Sequence, residues 1–397
     1  MIKNIPMRTF DIIFISLVAI VAYSYIGYGI ILFLMIKIKN MFIKPSEIIT
    51  EEIPEVTLLI AAYNEEEVIE EKLKNSVSLL YPRNKLKIVV ITDGSTDKTN
   101  SIIQNYGHSK LLYSPERKGK TAAINRAMMY INSPIVVLTD ANTLLNQDSI
   151  IEIVKHFSNP KIGCVSGEKK VINHLNKSAA AGGEGLYWKY ESKLKSMDFQ
   201  LYSTAGAAGE LFAIRRELYK PIPDNIILDD FVISLQTVID GYKIAYEPKA
   251  FAIEFGSVNI QEELKRKIRI CAGGFQAMIY LKSLLNIFNH GLFTFQYISH
   301  RVLRWTFAPL ALFCLLPLNF AGALVYGYTY TYFFILQVIF YALAYIGWQY
   351  ERNNYRIKAF FIPYYFLMMN YSVIIGFFRF ISNTQSVTWE KSKRVIN

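Results

Sequence analysis

The chain reads as an α/β domain with a mostly parallel sheet, set between one N-terminal and about three C-terminal transmembrane helices. Three observations predict this: long uncharged runs near both ends, continuous apolar segments of strand length in the middle, and amphipathic helical patterns between those segments. Composition agrees. Of 397 residues 52% are hydrophobic, 14% aromatic and only 19% charged, an apolar share above that of an ordinary soluble domain.

The first apolar run, from Ile12 to Ile36, carries no charge. At 1.5 Å per helical residue it spans a hydrocarbon core of roughly 30 Å. It exceeds the roughly 7–15 residue core of a signal peptide and no small-residue cleavage site follows, so it reads as an anchor. Three further apolar stretches, near Leu303–Tyr326, Thr329–Trp348 and Ala359–Phe378, close the chain. Lys37, Lys39 and Lys44 follow the first run, and Arg352, Arg356 and Lys358 separate the third from the fourth. The positive-inside rule places both segments in the cytosol. The same rule disfavours an external tail bearing Lys391, Lys393 and Arg394, and Pro363 offers a broken or re-entrant helix that would return it. The expected division is an anchor at 1–45, a cytosolic domain at 46–275, interfacial helices at 276–302, a transmembrane cluster at 303–385 and a tail at 386–397.

The excess of 43 Lys and Arg over 32 Asp and Glu gives a net charge of +11. These residues gather near the apolar runs, which favours membrane lipids and phosphate as partners and leaves nucleic acid without a recognisable module. Cys164, Cys271 and Cys314 lie far apart without metal-type spacing and read as reduced structural thiols.

The middle segment opens with a β-rich run, Glu55 to Ala62, followed by Tyr63-Asn64-Glu65. Asn64 and Glu67 suit a capping box, with Ile69, Leu73, Val77 and Leu80 on one helical face before Pro82. A second buried strand, Lys87–Thr92, runs into Asp93-Gly94-Ser95-Thr96-Asp97. A third is expected at Leu111–Tyr113, a helix from Gly119 to Ile131, and a further strand, Pro134–Thr139, stopping at Asp140-Ala141-Asn142. Ligands of a doubly wound sheet bind at the carboxyl ends of its strands. Tyr63, Asn64, Asp93 and Asp140 each follow a strand directly and so converge on one edge.

Asp140 and Asn142 present two oxygen-bearing side chains suited to a hard divalent cation, Mg2+ or Mn2+. Lys118 and Lys120 flank Gly119 at a helix start, as phosphate ligands or as a solvated basic turn. Asp229 and Asp230 open a helix; N-capping accounts for one, while a close carboxylate pair raises one pKa toward that of a general base. The basic run Lys265-Arg266-Lys267-Ile268-Arg269 before Gly273-Gly274 suits either lipid headgroups or a bound phosphate.

The ordered set Ala62-Tyr63-Asn64-Glu65, Asp93-Gly94-Ser95-Thr96-Asp97, Gly119-Lys120-x-x-Ala123-x-Asn125, Asp140-Ala141-Asn142 and Asp229-Asp230 resembles the membrane-bound, polysaccharide-synthase-like members of the inverting family 2 glycosyltransferases. Trp389-Glu390-Lys391 looks like the same branch. The resemblance implies an α/β glycosyltransferase-A type domain acting on a nucleoside-diphosphate sugar, in the uridine form, and on a glycan or lipid-linked acceptor. By it, Tyr63, Asn64, Glu65 and Asp93 hold the nucleoside, and Lys120 and Arg269 the phosphates. Asp140 and Asn142 meet the metal-bound diphosphate, and Asp230, with Asp229 before it, stands at the catalytic base. Gly209 and Glu210 resemble the acceptor segment, and Trp188 and Tyr190 could stack on sugar rings.

Two departures stand out. Asn142 removes a formal charge from the metal site. Where processive synthases carry Gln-x-x-Arg-Trp, this chain reads Arg266-Lys267-Ile268-Arg269-Ile270, which leaves polymerisation and single addition both open. The competing class is a membrane protein that binds a nucleotide without turnover. A dehydrogenase needs Gly-x-Gly-x-x-Gly after the first strand, and Ala61-Ala62-Tyr63-Asn64-Glu65-Glu66 stands there instead.

Overall fold

Eight strands form one sheet in the computed structural model, which describes residues 6–42, 53–172 and 179–386 except 258, 354 and 356, with backbone only at 172 and 179–187. They are β1 (Val56–Ala62), β2 (Leu86–Asp93), β3 (Lys110–Ser114), β4 (Ile135–Asp140), β5 (Thr143–Leu145), β6 (Ile162–Ile172), β7 (Phe212–Arg215) and β8 (Lys243–Phe255). Their order across the sheet is β3-β2-β1-β4-β7-β6-β8-β5. The four strands from β3 to β4 are parallel. In the other half, β7 is antiparallel to both neighbours and β5 to β8, while β6 and β8 run parallel. Every residue of β1 is buried. Alternate side chains feed two cores, with Leu59, Ile91 and Leu138 on one face and Leu58, Ile60, Val90 and Val137 on the other. This two-sided burial is why the strands read as unbroken apolar runs.

Register decides where the site forms. Ala62 pairs with Thr92 and Ala61 with Asp140, so Tyr63 and Asp93 arrive at one level of one edge, with Asp140 on the same edge two residues short of it. Some local expectations shift. Asn64 does not cap a helix; its backbone lies at φ 52°, its Oδ1 accepts from the Thr96 amide at 2.8 Å, and the helix runs from Ile69 to Val77. Leu80 falls beyond that helix and is 51% exposed. The helix expected from Gly119 to Ile131 spans Lys120–Met128.

Among the described residues, four helices are long and apolar enough to cross a membrane: Met7–Phe42, Phe307–Val325, Tyr328–Arg352 and Lys358–Ile381. The second starts later than the Leu303 boundary because that stretch included Arg304, which turns onto the domain from a short Leu303–Trp305 helix. Pro363 does not break the last helix, which is continuous through it. Lys44, Arg356 and the tail with Trp389, Lys391, Lys393 and Arg394 lie outside the described residues. The basic run sits inside a 21-residue helix, Ile260–Tyr280, along which Lys358–Ile381 packs. Their contact is close: a Cβ on Gly376 would lie 2.6 Å from Cys271 Cβ.

Buried polar contacts bind the apolar helices to the domain. The N-terminal half of the first helix packs Phe10 against Tyr326 and Tyr330. Its second half meets the Ala179–Leu201 helix, where Tyr28 Oη donates to Asp198 and Lys39 Nζ to the Gln200 and Leu201 carbonyls at 2.7 and 2.9 Å. The other Asp198 oxygen lies 2.5 Å from His300 Nδ1. Glu191, 1% exposed, faces Arg301 at 2.7 Å, Arg304 at 3.3 Å and His300 Nε2 at 3.3 Å. Although burial works against its charge, Arg301 and His300 hold the Glu191 carboxyl well below the usual range. Glu191→Gln removes the counter-charge that Arg301 and Arg304 share, at an expected cost of about 3 kcal/mol or more. Thermal unfolding of detergent-held protein reads this as a lowered midpoint; an unchanged midpoint would show the cluster is not stabilising.

Candidate active site

At the edge of β1 and β2, Tyr63, Asp93, Arg117, Gly119 and Lys120 line a small crevice. Asp93 is buried, and its carboxylate accepts from the amides of Lys118 at 3.1 Å and Gly119 at 2.6 Å. This fixes the loop that launches the Lys120–Met128 helix, and Gly119 adopts φ +99° there. The Arg117 guanidinium lies 3.9 Å from the Tyr63 ring centroid. Asn64 and Glu65 secure the neighbouring turn, their amides donating to Ser95 and Thr99 hydroxyls at 3.1 and 2.8 Å. Lys118 points away, its ammonium 2.8 Å from exposed Glu116.

The crevice shares Lys120 with a cavity of about 670 Å³, which brings together Lys120, Asp140, Trp188, Gly209, Glu210, Asp229, Asp230 and Arg269. Lys120 Nζ lies 2.7 Å from Asp140 and 3.6 Å from Asp229. Burial disfavours this ammonium, yet Asp140, Asp229 and Asp230 together raise its pKa above the usual lysine value. The helix places its residues where they are needed. Thr121 Oγ1 donates to the Ile226 carbonyl at 3.0 Å, and Asn125 Nδ2 to the Ile222 carbonyl at 2.8 Å, fixing the loop that delivers Asp229 and Asp230.

Those two acids occupy the first turn of the Asp229–Ile239 helix. Burial first, and then the Asp229 charge, push the Asp230 carboxyl up to about 7, against the pull of Lys120. A carboxylate with that pKa takes a proton efficiently near neutral pH. Gly209 keeps the space beside it open, since a Cβ there would lie 3.2 Å from Asp230 Oδ2 and 3.3 Å from Lys120 Nζ.

Asp140 ends β4, and Asn142 sits in the turn before β5. Asn142 Oδ1 is buried with no hydrogen-bond partner, and Asn142 is not among the residues that line the cavity holding Asp140. Lys72 braces this turn from behind, donating to Thr139 Oγ1 at 2.9 Å and the Thr143 carbonyl at 2.7 Å. Two oxygen donors fit a hard divalent ion whose shell phosphate oxygens and water complete. Among the described residues, no group of three or more His, Cys, Asp or Glu side chains is arranged to hold an ion alone.

Glu210 is tied up more tightly than its sequence position indicates. Buried Lys169 pairs with it at 2.5 Å and also with Glu254. Burial pushes the Glu210 carboxyl up, but Lys169 overrides this and brings it to about 2, so it is a wall charge. Trp188 faces the cavity with Lys169 Nζ 4.9 Å and Lys267 Nζ 5.6 Å from its ring centroid. Tyr190 faces a neighbouring cavity instead. Arg266 is held by Glu263 through contacts of 2.8 and 3.0 Å, and Arg269 lines the cavity.

Sequence reasoning missed Arg117, Lys169, Arg301 and Trp305, all of which line these cavities or hold their walls. Only Arg117 had a local signal, its place beside Lys118-Gly119-Lys120. Trp305 was hidden inside a stretch counted as membrane span.

Several known proteins resemble this chain. It is 27% identical over 247 residues to the poly-beta-1,6-N-acetyl-D-glucosamine synthase of Staphylococcus aureus, covering 59% of this chain and 58% of that protein. The Staphylococcus epidermidis synthase is 26% identical over 240 residues, covering 58% and 57%. The chain thus spans somewhat over half the length of these relatives. The solved mannosyltransferase PcManGT from Pyrobaculum calidifontis, in complex with GDP-Man and Mn2+, shares the fold with a TM-score of 0.72 at 23% identity, covering 94% of this chain and 99% of that one. A family model described as "Glycosyltransferase like family 2" matches residues 54–273, more than half of the chain, and with the strand-edge aspartates it defines this protein as a family 2 glycosyltransferase with a glycosyltransferase-A type domain.

Proposed function

We propose that this glycosyltransferase moves a sugar with inversion from a nucleoside-diphosphate donor, in the uridine form, onto the hydroxyl of a glycan or lipid-linked acceptor at the cytosolic membrane face. The observation that carries the reading is Asp230, a carboxylate raised to about 7 by burial and by Asp229, in one cavity with Lys120, Asp140 and Arg269. The acceptor hydroxyl oxygen attacks the anomeric carbon as Asp230 takes its proton, and the bond from that carbon to the diphosphate oxygen breaks on the opposite face. Lys120 and Arg269 receive the charge developing on the leaving diphosphate. Tyr63 and Arg117 take the base, and Trp188 an acceptor ring. Asp140 and Asn142 would hold Mg2+ or Mn2+, which supplies further neutralisation of the diphosphate. The GDP-Man and Mn2+ of the mannosyltransferase support a nucleotide sugar and a divalent ion.

The staphylococcal synthases favour polysaccharide synthesis as the product class. Single addition is the second reading, favoured by Ile270 where the processive signature has tryptophan. Lys37, Lys39, Arg352 and Lys358 beside the apolar helices support a cytosolic catalytic domain. The division proposed is an anchor at 1–45, the catalytic domain at 46–275, interfacial helices at 276–302, a membrane cluster at 303–385 and a tail.

Three outcomes check this reading. Asp230→Asn should leave nucleotide binding within about twofold while transfer falls roughly 10²–10⁴-fold; retained transfer removes the base role. Because the base must be unprotonated, wild-type kcat/KM should fall about tenfold per pH unit below about 7. In Asp229→Asn the like charge is gone, Asp230 loses its proton more readily, and that acid limb moves to lower pH. A limb that stays in place would assign the titration to another group. Asn142→Asp restores a formal charge and should lower the half-saturating Mn2+ concentration several-fold; an unchanged requirement would place the ion elsewhere.

A further inference from the structure

One lysine of the catalytic cavity takes no part in the chemistry proposed for Asp230 and Lys120. Trp188, Glu191 and Lys195 follow one another at intervals of three and four residues on the Ala179–Leu201 helix, so they share one of its faces, and all three line the cavity. Lys195 is only 3% exposed. Among the described residues its ammonium makes no ion pair and donates no hydrogen bond, and its ring contact is Tyr246, with the centroid 5.9 Å away. The acids nearby are held by other cations. Glu191 faces Arg301 at 2.7 Å and Glu210 faces Lys169 at 2.5 Å. Burial and the Arg301 charge pull the Lys195 pKa down to about 8, against Glu191, Glu210 and Asp230, so the group is still a cation at neutral pH. A buried charge without an ion pair is costly, and folds keep such exceptions at functional sites.

We propose that Lys195 binds the acceptor sugar, donating to a hydroxyl oxygen beside the one whose proton Asp230 takes. The proposal rests on the transferase reading above and adds the group that orients its acceptor. Placement separates Lys195 from the donor. The nucleoside crevice is lined by Tyr63, Asp93, Arg117 and Lys120 and not by Lys195. Lys120 answers to Asp140, Asp229 and Asp230, and Lys195 to Glu191, Glu210 and Asp230, so the base is shared by a lysine on the donor side and one that is not. Inversion brings the acceptor to Asp230 from the face opposite the diphosphate, away from Lys120. The surroundings also name the group that Lys195 receives. Three carboxylates, Glu191, Glu210 and Asp230, face its ammonium together with one cation, Arg301, so a neutral hydroxyl oxygen, which accepts an N–H without adding charge, matches the place better than an anion does.

The test uses the full chain in phosphatidylcholine nanodiscs with Mn2+, with UDP-glucose, UDP-N-acetylglucosamine and GDP-mannose as donors and the methyl glycosides of the same sugars as acceptors. Release of nucleotide to water and transfer to the glycoside are read together. A change in Asp230 or in donor binding acts on both and cancels in their ratio. Lys195→Met should lower the ratio of transfer to hydrolysis about 10–100-fold, the loss expected of one hydrogen bond from a charged donor, and Lys195→Arg should recover part of it. Monodeoxy analogues of the active glycoside locate the contact. Removing one hydroxyl other than the reacting one should cost wild type a similar factor and cost Lys195→Met less than about twofold. An unchanged ratio in Lys195→Met, or equal losses in wild type and variant for every analogue, would overturn the proposal. Wild type indifferent to every non-reacting hydroxyl overturns it too, which decides the matter even where Lys195→Met fails to fold. Nucleotide released to water with transfer to none of the glycosides removes the sugar contact and leaves the donor reading standing, whereas no release from any donor removes the transferase reading itself.

Discussion

A single ammonium group, Lys120 Nζ, organises the charge at the centre of this protein. It stands within 2.7 Å of Asp140 and 3.6 Å of Asp229, so it joins the end of a strand to the start of a helix far along the chain. Three carboxylates crowd one partly buried place, and without a cation among them their repulsion and desolvation would be severe. One lysine does not neutralise three acids, and burial together with the Asp229 charge makes Asp230 bind its proton more tightly. The same deficit bears on ligands. A diphosphate brings further negative charge toward Asp140, which is tolerable only if more positive charge arrives with it or is supplied by Arg269. On the proposed reading a divalent ion meets that need, and the buried Asn142 oxygen gives it a second protein ligand without adding an anion.

Rigidity around Lys120 comes from side chains outside the cavity lining. Thr121 and Asn125 tie the helix to the loop before Asp229, while Lys72 secures the turn after β4 from beneath. Lys72 is fully enclosed, and its burial lowers its pKa to about 7 despite the nearby Asp140. On the membrane side, Glu191 and Asp198 play the matching part through Arg301, Arg304 and His300. Each of these contacts is a buried polar interaction with a fixed direction, so the two sides of the cavity are held in one geometry.

Strands β1, β2 and β4 were legible because burial on both faces leaves them mostly apolar, with Thr57 the polar residue inside β1. The acids at their ends were legible because a parallel register aligns strand termini whatever the loops do. Asp230 and Asp229 were found as a pair, although their coupling to Lys120 depends on a packing contact no local pattern encodes. The Asn64 turn was misread because a residue that can cap a helix can equally bridge to a neighbouring loop, and only the position of Thr96 decides. Antiparallel β7 and β5 are short and carry little periodicity. Lys169 sits in β6 amid ordinary polar residues, and its burial between Glu210 and Glu254 is a tertiary fact. Arg304 shows the opposite error, since counting apolar residues around it absorbed a charge that packing turns toward the domain.

The altered signature near Arg269 gains a different meaning once the cavity is seen whole. Ile270 takes the place of a tryptophan, but Trp305 reaches the same cavity from a different helix. Its ring packs so closely on the Ile260–Tyr280 helix that a Cβ on Gly274 would lie 2.6 Å away. Gly274 is one turn beyond Ile270, so the lost indole is replaced close to where its absence was noted. With Trp188 on another wall, the cavity retains two flat aromatic surfaces of the kind on which sugar rings stack. What has changed is the element that carries the ring: Trp305 follows Arg301 and Arg304 by one turn and less, so the aromatic surface goes with the groups that tie the apolar helices to the domain rather than with Arg269. An aromatic wall of the cavity and the contacts that tie the apolar helices to the domain are in that way built from one short stretch of chain.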